Sequence, residues 1–189
     1  SMSNYFIGIM ILLLSGFVGM MFPKKHKISA LSILVAIGSI FTLIPALNVF
    51  LSGESLSQTF FFNPVFGKVN FVIDSLSAFF ITIISVMGLA SVIYSKGYLR
   101  HYIEEGKSIN SHMVFLSMLI ASMLAVVTCQ NALMFLVCWE LMSISSFFLV
   151  IFENEKKEVV KAGIKYLVFM HVSVLFIILA FALMSIQSG

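Results

Sequence analysis

Few polar side chains in this sequence of 189 residues lie where chemistry or transfer inside an apolar environment would need them, so each one carries information. Glu140, in Val137-Cys138-Trp139-Glu140-Leu141-Met142-Ser143, lies near the centre of a long apolar run. A charged group at the middle of a membrane span costs about 2.5 to 3.5 kcal/mol on insertion scales, and ionisable groups retained there mark ion or proton paths. The packing alternative is a protonated acid hydrogen-bonded to Ser143 or Ser146, holding helices together. His171 falls about midway along the last apolar run and would meet Glu140 if those two runs pack side by side. A histidine can accept and release protons at little cost and suits a proton relay, or it is a neutral ring bonded to a neighbouring hydroxyl or carbonyl. Lys161 and Lys165 stand at the start of the same run. Lys165, one helical turn deeper, is the third candidate for a proton path, although lysines at such positions commonly extend to the interface. Asp74, in Ile73-Asp74-Ser75-Leu76-Ser77, suits the start of a helix, where a carboxylate meets free backbone donors and the positive end of the dipole.

Other chemistry is missing from the pattern. There is no phosphate-binding glycine loop, paired zinc-ligand motif or nucleophile elbow. His26, His101 and His112 fall in loops or at the edges of apolar runs, which leaves His171 without a second axial ligand for haem. The sequence therefore predicts no metal site, no cofactor and no catalytic site of its own. Cys129 and Cys138 would be separated by roughly 13 Å along one helix, too far for a disulfide within it.

The elements that hold these residues follow from composition. Hydrophobic residues make up 60% of the chain and charged residues 10%, against about 25% charged in ordinary soluble domains. Mean hydropathy is +1.10. With 20 Phe and three Pro, long helices fit better than the alternating strands of a membrane barrel. Runs of about 20 apolar residues place six spans at about 5–22, 29–51, 72–94, 113–129, 131–152 and 164–186. The fold class is an all-α membrane protein, a single bundle of about six transmembrane helices. Gln130 and Asn131 separate the fourth and fifth runs, either as a tight interfacial turn or as the middle of one long helix. Between the second and third runs, residues 52–71 mix turn formers with five Phe, which fits an irregular or hairpin-like cap at the membrane surface.

Lys and Arg gather in cytoplasmic loops. Lys24, Lys25 and Lys27 follow the first run, Lys96, Arg100 and Lys107 the third, and Lys156, Lys157, Lys161 and Lys165 the fifth. Only Lys68 falls on the other side. The N-terminus, the 52–71 loop and the C-terminus are therefore expected outside the cell, in a multi-pass protein of the cell (inner) membrane. The net charge of +3 sits in these loop clusters and points to no nucleic-acid partner.

From about Phe71 to Met184 the chain resembles the antiporter-like, proton-translocating subunits of respiratory complex I, Mrp-type cation/proton antiporters and membrane-bound hydrogenases. The resemblance rests on Ile73-Asp74-Ser75-Leu76-Ser77, on Trp139-Glu140-Leu141-Met142-Ser143 and on Lys161 to Ser173, and the second segment is most similar to the large membrane subunit of formate hydrogenlyase-type hydrogenases. It implies that Glu140 pairs with a lysine two spans later and helps drive proton movement. That lysine-bearing broken helix would lie beyond Gly189, so the similarity covers the N-terminal portion of longer family members. The implied partners are the lipid bilayer and other membrane subunits of a redox-driven complex, one of which could supply the lysine. The competing expectations are a structural membrane anchor without transport of its own and a Mrp-type antiporter subunit. The orientation is testable in intact cells. With Cys129 and Cys138 replaced by serine, Arg100→Cys should resist an impermeant thiol reagent added from outside; labelling from outside would reverse the topology.

Overall fold

The computed structural model describes residues 1–62, 64, 66–152 and 157–188. Lys156, part of the loop-charge pattern, and Asn63, one of the expected turn formers, lie outside the described residues. Six helices and one two-stranded hairpin follow in the order α1 (Met2–Met20), α2 (Lys27–Ser52), β1 (Leu56–Phe61), β2 (Lys68–Ile73), α3 (Ser75–Glu104), α4 (Asn110–Thr128), α5 (Ala132–Ile151) and α6 (Lys157–Gln187). All six helices are long and apolar enough to cross a membrane.

Helices α1 to α4 form a closed ring in which α1 packs on α2 and α4, and α3 on α2 and α4; α5 lies against α4, and α6 against α5. Apolar attraction between helices is weak in lipid, so close approach depends on small residues and internal hydrogen bonds. Gly8 of α1 meets α2 so closely that a Cβ there would lie 2.6 Å from Thr42 Cγ2 and 2.9 Å from the Gly38 carbonyl oxygen. A small-residue stripe on α3 consists of buried Ala78, Ser85 and Gly88, while Thr82 donates to its own helix at Ala78 O. Thr42 and Ser85 share a hydrogen bond of 3.1 Å between α2 and α3. Tyr5, fully buried, donates its hydroxyl to Leu124 O at 2.7 Å and ties α1 to α4. Ser77 Oγ donates to Val127 O at 2.9 Å and ties α3 to α4.

The segment between α2 and α3 is a hairpin. Gly53, at φ +74°, ends α2 in the left-handed conformation that glycine adopts without strain. β1 and β2 then pair antiparallel from Leu56 opposite Ile73 to Phe61 opposite Lys68. Val69, Phe71 and Ile73 alternate into the core, and Phe6 of α1 meets Phe60 and Phe71 edge to face at 5.2 Å each. The turn at 129–131 joins the same end of the bundle: Phe71 bridges Cys129, and Gln130 N donates to Asn70 O at 2.9 Å. Asn131 caps α5 by accepting from Met134 N at 2.9 Å, and its amide donates to Phe66 O at 2.9 Å. Gln130 and Asn131 therefore form a turn braced by the hairpin, and α4 and α5 are separate helices.

Two boundaries differ from those read by hydropathy. Val72 and Ile73 belong to β2, and α3 starts only after Asp74, whose Oδ1 accepts from Ser77 N at 2.7 Å. Burial of strand residues looks like a span in a hydropathy window. At its far end α3 runs on to Glu104, giving 30 residues and a length of about 45 Å against roughly 30 Å of hydrocarbon. That projecting turn is polar. Beyond it the Glu105 carboxyl is held below the usual carboxylate range, first by the hydrogen bond from Lys107 and then by the Lys107 and His101 charges. Likewise α6 begins at Lys157, seven residues before its apolar run, because a helix continues through a charged interface as readily as through lipid. At this end Lys27 Nζ donates to Asn110 Oδ1 at 2.5 Å, joining the α1–α2 and α3–α4 turns.

Replacing Gly8 by leucine should lower thermal stability in detergent by about 1 to 3 kcal/mol, the usual range for overpacking a tight contact. Asp74→Ala should cost about 0.5 to 2 kcal/mol while Asp74→Asn costs little, since asparagine retains the capping oxygen.

Candidate functional site

Glu140 occupies the middle of α5 and His171 the middle of α6. The two helices cross where α6 carries Gly163, at which a Cβ would come to 3.1 Å from Phe147 Cε2 on α5. Glycine thus admits the ring of Phe147 and keeps α6 close. Above that contact His171 Nε2 lies 2.5 Å from Glu140 Oε2, with only 23% and 13% of the two side chains exposed. The approach is that of an ion pair without the alignment of a linear hydrogen bond, and His171 Nδ1 is buried and unpartnered among the described residues.

The pair opens onto a cavity of about 540 Å³ between α4, α5 and α6. Ser143, Ser146 and Tyr166 supply its other polar groups, and Leu119 and Met123 of α4 form its apolar wall. Ser143 and Ser146, the alternative partners for Glu140, therefore face the same space. Its hydroxyls, an imidazole and a carboxyl can together hold water and pass protons. Trp139, next to Glu140, turns outward against Phe135 at 5.8 Å.

Lys165 and Lys161 do not join this group. Both are exposed on α6 and neither lines the cavity. Six residues separate Lys165 from His171, roughly 9 Å along the helix. Asp74 lies at the hairpin end as the cap of α3. Cys129 and Cys138 are free, and among the described residues no three His, Cys, Asp or Glu side chains gather to hold a metal.

The sequence reading missed His112. It stands in the first turn of α4, with its ring 5.0 Å from Phe152 and 6.2 Å from Tyr98, and its Nδ1 is buried without a partner among the described residues. The signal was present in the spacing of His112, Leu116 and Leu119 on one helical face, but proximity to the loop concealed it.

The segments that build this site have known relatives. Residues 129–189 match the family described as NADH:quinone oxidoreductase/Mrp antiporter, TM, and residues 66–108 match NADH-Ubiquinone oxidoreductase (complex I), chain 5 N-terminus. Hydrogenase-4 component B of Escherichia coli (strain K12) is 39% identical over 124 residues, which is 66% of this chain and 18% of that protein. The Na(+)/H(+) antiporter subunit A1 of Staphylococcus aureus (strain JH9) is 28% identical over 127 residues, covering 67% of this chain and 15% of that protein. Across these segments the chain is similar to the antiporter-like membrane subunit family. It is a multi-pass membrane protein, and it spans less than a fifth of the length of either relative. The relatives are named as a component and a subunit, so members of the antiporter-like family work within larger membrane assemblies. α5 and α6, with Glu140, His171 and the cavity residues they carry, fall within the first match, Leu119 and Met123 of the α4 wall lie before it, and β2 and α3 fall within the second.

Contact between Glu140 and His171 predicts energetic coupling. In a double-mutant cycle of Glu140→Gln and His171→Gln, the coupling should reach about 0.5 to 3 kcal/mol in thermal unfolding. Strictly additive effects would mean that the pair does not interact in the membrane.

Proposed function

We propose that Glu140 and His171 form a proton-relay pair in a proton or cation path of a redox-driven membrane complex. The supporting observation is their contact inside the membrane-spanning region, beside a cavity with its own hydroxyl groups. A lone carboxylate at that depth is expensive, whereas a carboxylate beside an imidazolium and a neutral acid beside a neutral imidazole both carry no net charge. One proton moving from Glu140 Oε2 to His171 Nε2 converts the second arrangement into the first. Release from Nδ1 would then pass the charge onward, with the two ring nitrogens separating uptake from delivery. Lys165 is assigned no proton-carrying step, because it stands outside the cavity. Neighbouring membrane subunits or further spans would supply the rest of the path, including a lysine able to bias the Glu140 charge.

A cation/proton antiporter is the second reading, favoured by the similarity to the Na(+)/H(+) antiporter subunit. It shares the relay and differs in the transported ion. A purely structural anchor would need the pair only for packing.

Glu140→Gln preserves shape and part of the hydrogen bonding while removing the exchangeable proton. In everted vesicles containing the full assembly, it should reduce substrate-driven proton uptake at least tenfold while leaving the complex intact on a native gel. Wild-type uptake with the glutamine variant would leave the packing role as the answer. Uptake that appears only with an outward sodium gradient would favour the antiporter reading.

A further inference from the structure

The α1–α2 turn lies far from the Glu140 cavity in the chain and carries an unbalanced charge. Residues 1–53 contain Lys24, Lys25 and Lys27 and no Asp or Glu. Lys27 is engaged by Asn110, but the side chains of Lys24, Lys25 and His26 are exposed and have no partner among the described residues. The backbone presents them on a tight turn in which His26 N and Lys27 N both donate to Pro23 O, at 2.8 and 3.1 Å.

An apolar slot of about 340 Å³ adjoins this turn. Phe22 forms one side, and Ala30, Ile33 and Leu34 line α2 below His26. Positions 26, 30, 33 and 34 share one helical face and extend for roughly 12 Å along it. The slot faces outward, with Phe22 43% and Ile33 60% exposed. Cations at one end and a hydrocarbon-lined groove beneath them match a single kind of molecule in a membrane.

We propose that the Pro23–His26 turn and the slot below it bind an anionic phospholipid, with its phosphate at Lys24 and Lys25 and an acyl chain along Phe22, Ile33 and Leu34. A basic side chain near the membrane surface attracts anionic lipid by an amount equivalent to about fivefold in affinity. The acyl chain leaves one hydrocarbon surrounding for another, so the slot contributes close packing and not withdrawal from water. The absence of acidic residues from the first two helices leaves the attraction unopposed by its own element. This site is independent of the Glu140 relay and survives or fails without it.

The test uses the purified chain reconstituted in phosphatidylcholine with spin-labelled phosphatidylglycerol or phosphatidylcholine as probe. The wild type should immobilise phosphatidylglycerol preferentially, and Lys24→Gln with Lys25→Gln should lower that preference by about fivefold or more. Ile33→Trp, at an exposed position, should fill the slot and reduce the immobilised fraction while both lysines remain. Lys96→Gln with Arg100→Gln, away from the slot, should lower the preference less than the Lys24 and Lys25 changes do. Equal retention of the two lipids, or a preference that survives the Lys24 and Lys25 changes, would overturn the proposal. So would displacement by glycerophosphate as effective as displacement by the whole lipid, since it would show that the slot contributes nothing.

Discussion

Inside hydrocarbon no water stands ready to satisfy a polar group, and that constraint organises the whole chain. Tyr5 can be fully buried because Leu124 O accepts its hydroxyl, and Thr42 because Ser85 lies opposite. Each such contact joins two different helices. The polar residues therefore fix which helices are neighbours, while small residues such as Gly8 and Gly38 determine how near they come. Outside the ring the same rule governs Glu140, whose carboxyl meets the imidazole of the next helix.

Packing is uneven in a way that bears on function. The fully buried large side chains of the helices belong to α1 through α4, α5 has three buried residues, and α6 has none among those described. The glutamate and histidine are thus carried by the two outermost helices, joined through Gly163, Phe147 and the pair itself. Phe169, 74% exposed, shows how much of α6 is left to lipid or to further protein. A helix held on one face can shift by small amounts without disturbing a core, and a shift of α6 changes the Glu140–His171 separation directly.

Much of this architecture was legible in the sequence because bilayer thickness sets a length that hydropathy can measure. The six helices emerge for that reason, and the prominence of Glu140 follows from the cost of a charge at its depth. What hydropathy cannot distinguish is an apolar residue buried by protein from one facing lipid. Val72 and Ile73 therefore read as helix although they pair in a strand. Nor does hydropathy reveal a helix that continues into polar surroundings, as α3 and α6 do. His112 was obscured by its place near a loop, since only the fold brings Phe152 and Tyr98 around its ring. Lys165 shows the converse: a basic residue at a plausible depth, on the same helix as His171, that does not line the cavity.

The pairing of a carboxyl with an imidazole, instead of two carboxyls or a carboxyl with a hydroxyl, has a physical consequence. Two acids so close would share a single proton, since the second ionisation is opposed by the first. A carboxyl and a hydroxyl would hold their proton on the acid, because the alcohol binds it far too weakly. A carboxyl beside an imidazole offers the proton a site on either partner, and the pair is electrically neutral in both arrangements. Neither state demands the full cost of a buried charge. In the proposed relay, an external charge brought near by a neighbouring helix or subunit would favour one state over the other. The position of α5 and α6 at the open side of the bundle leaves the pair within reach of such a charge.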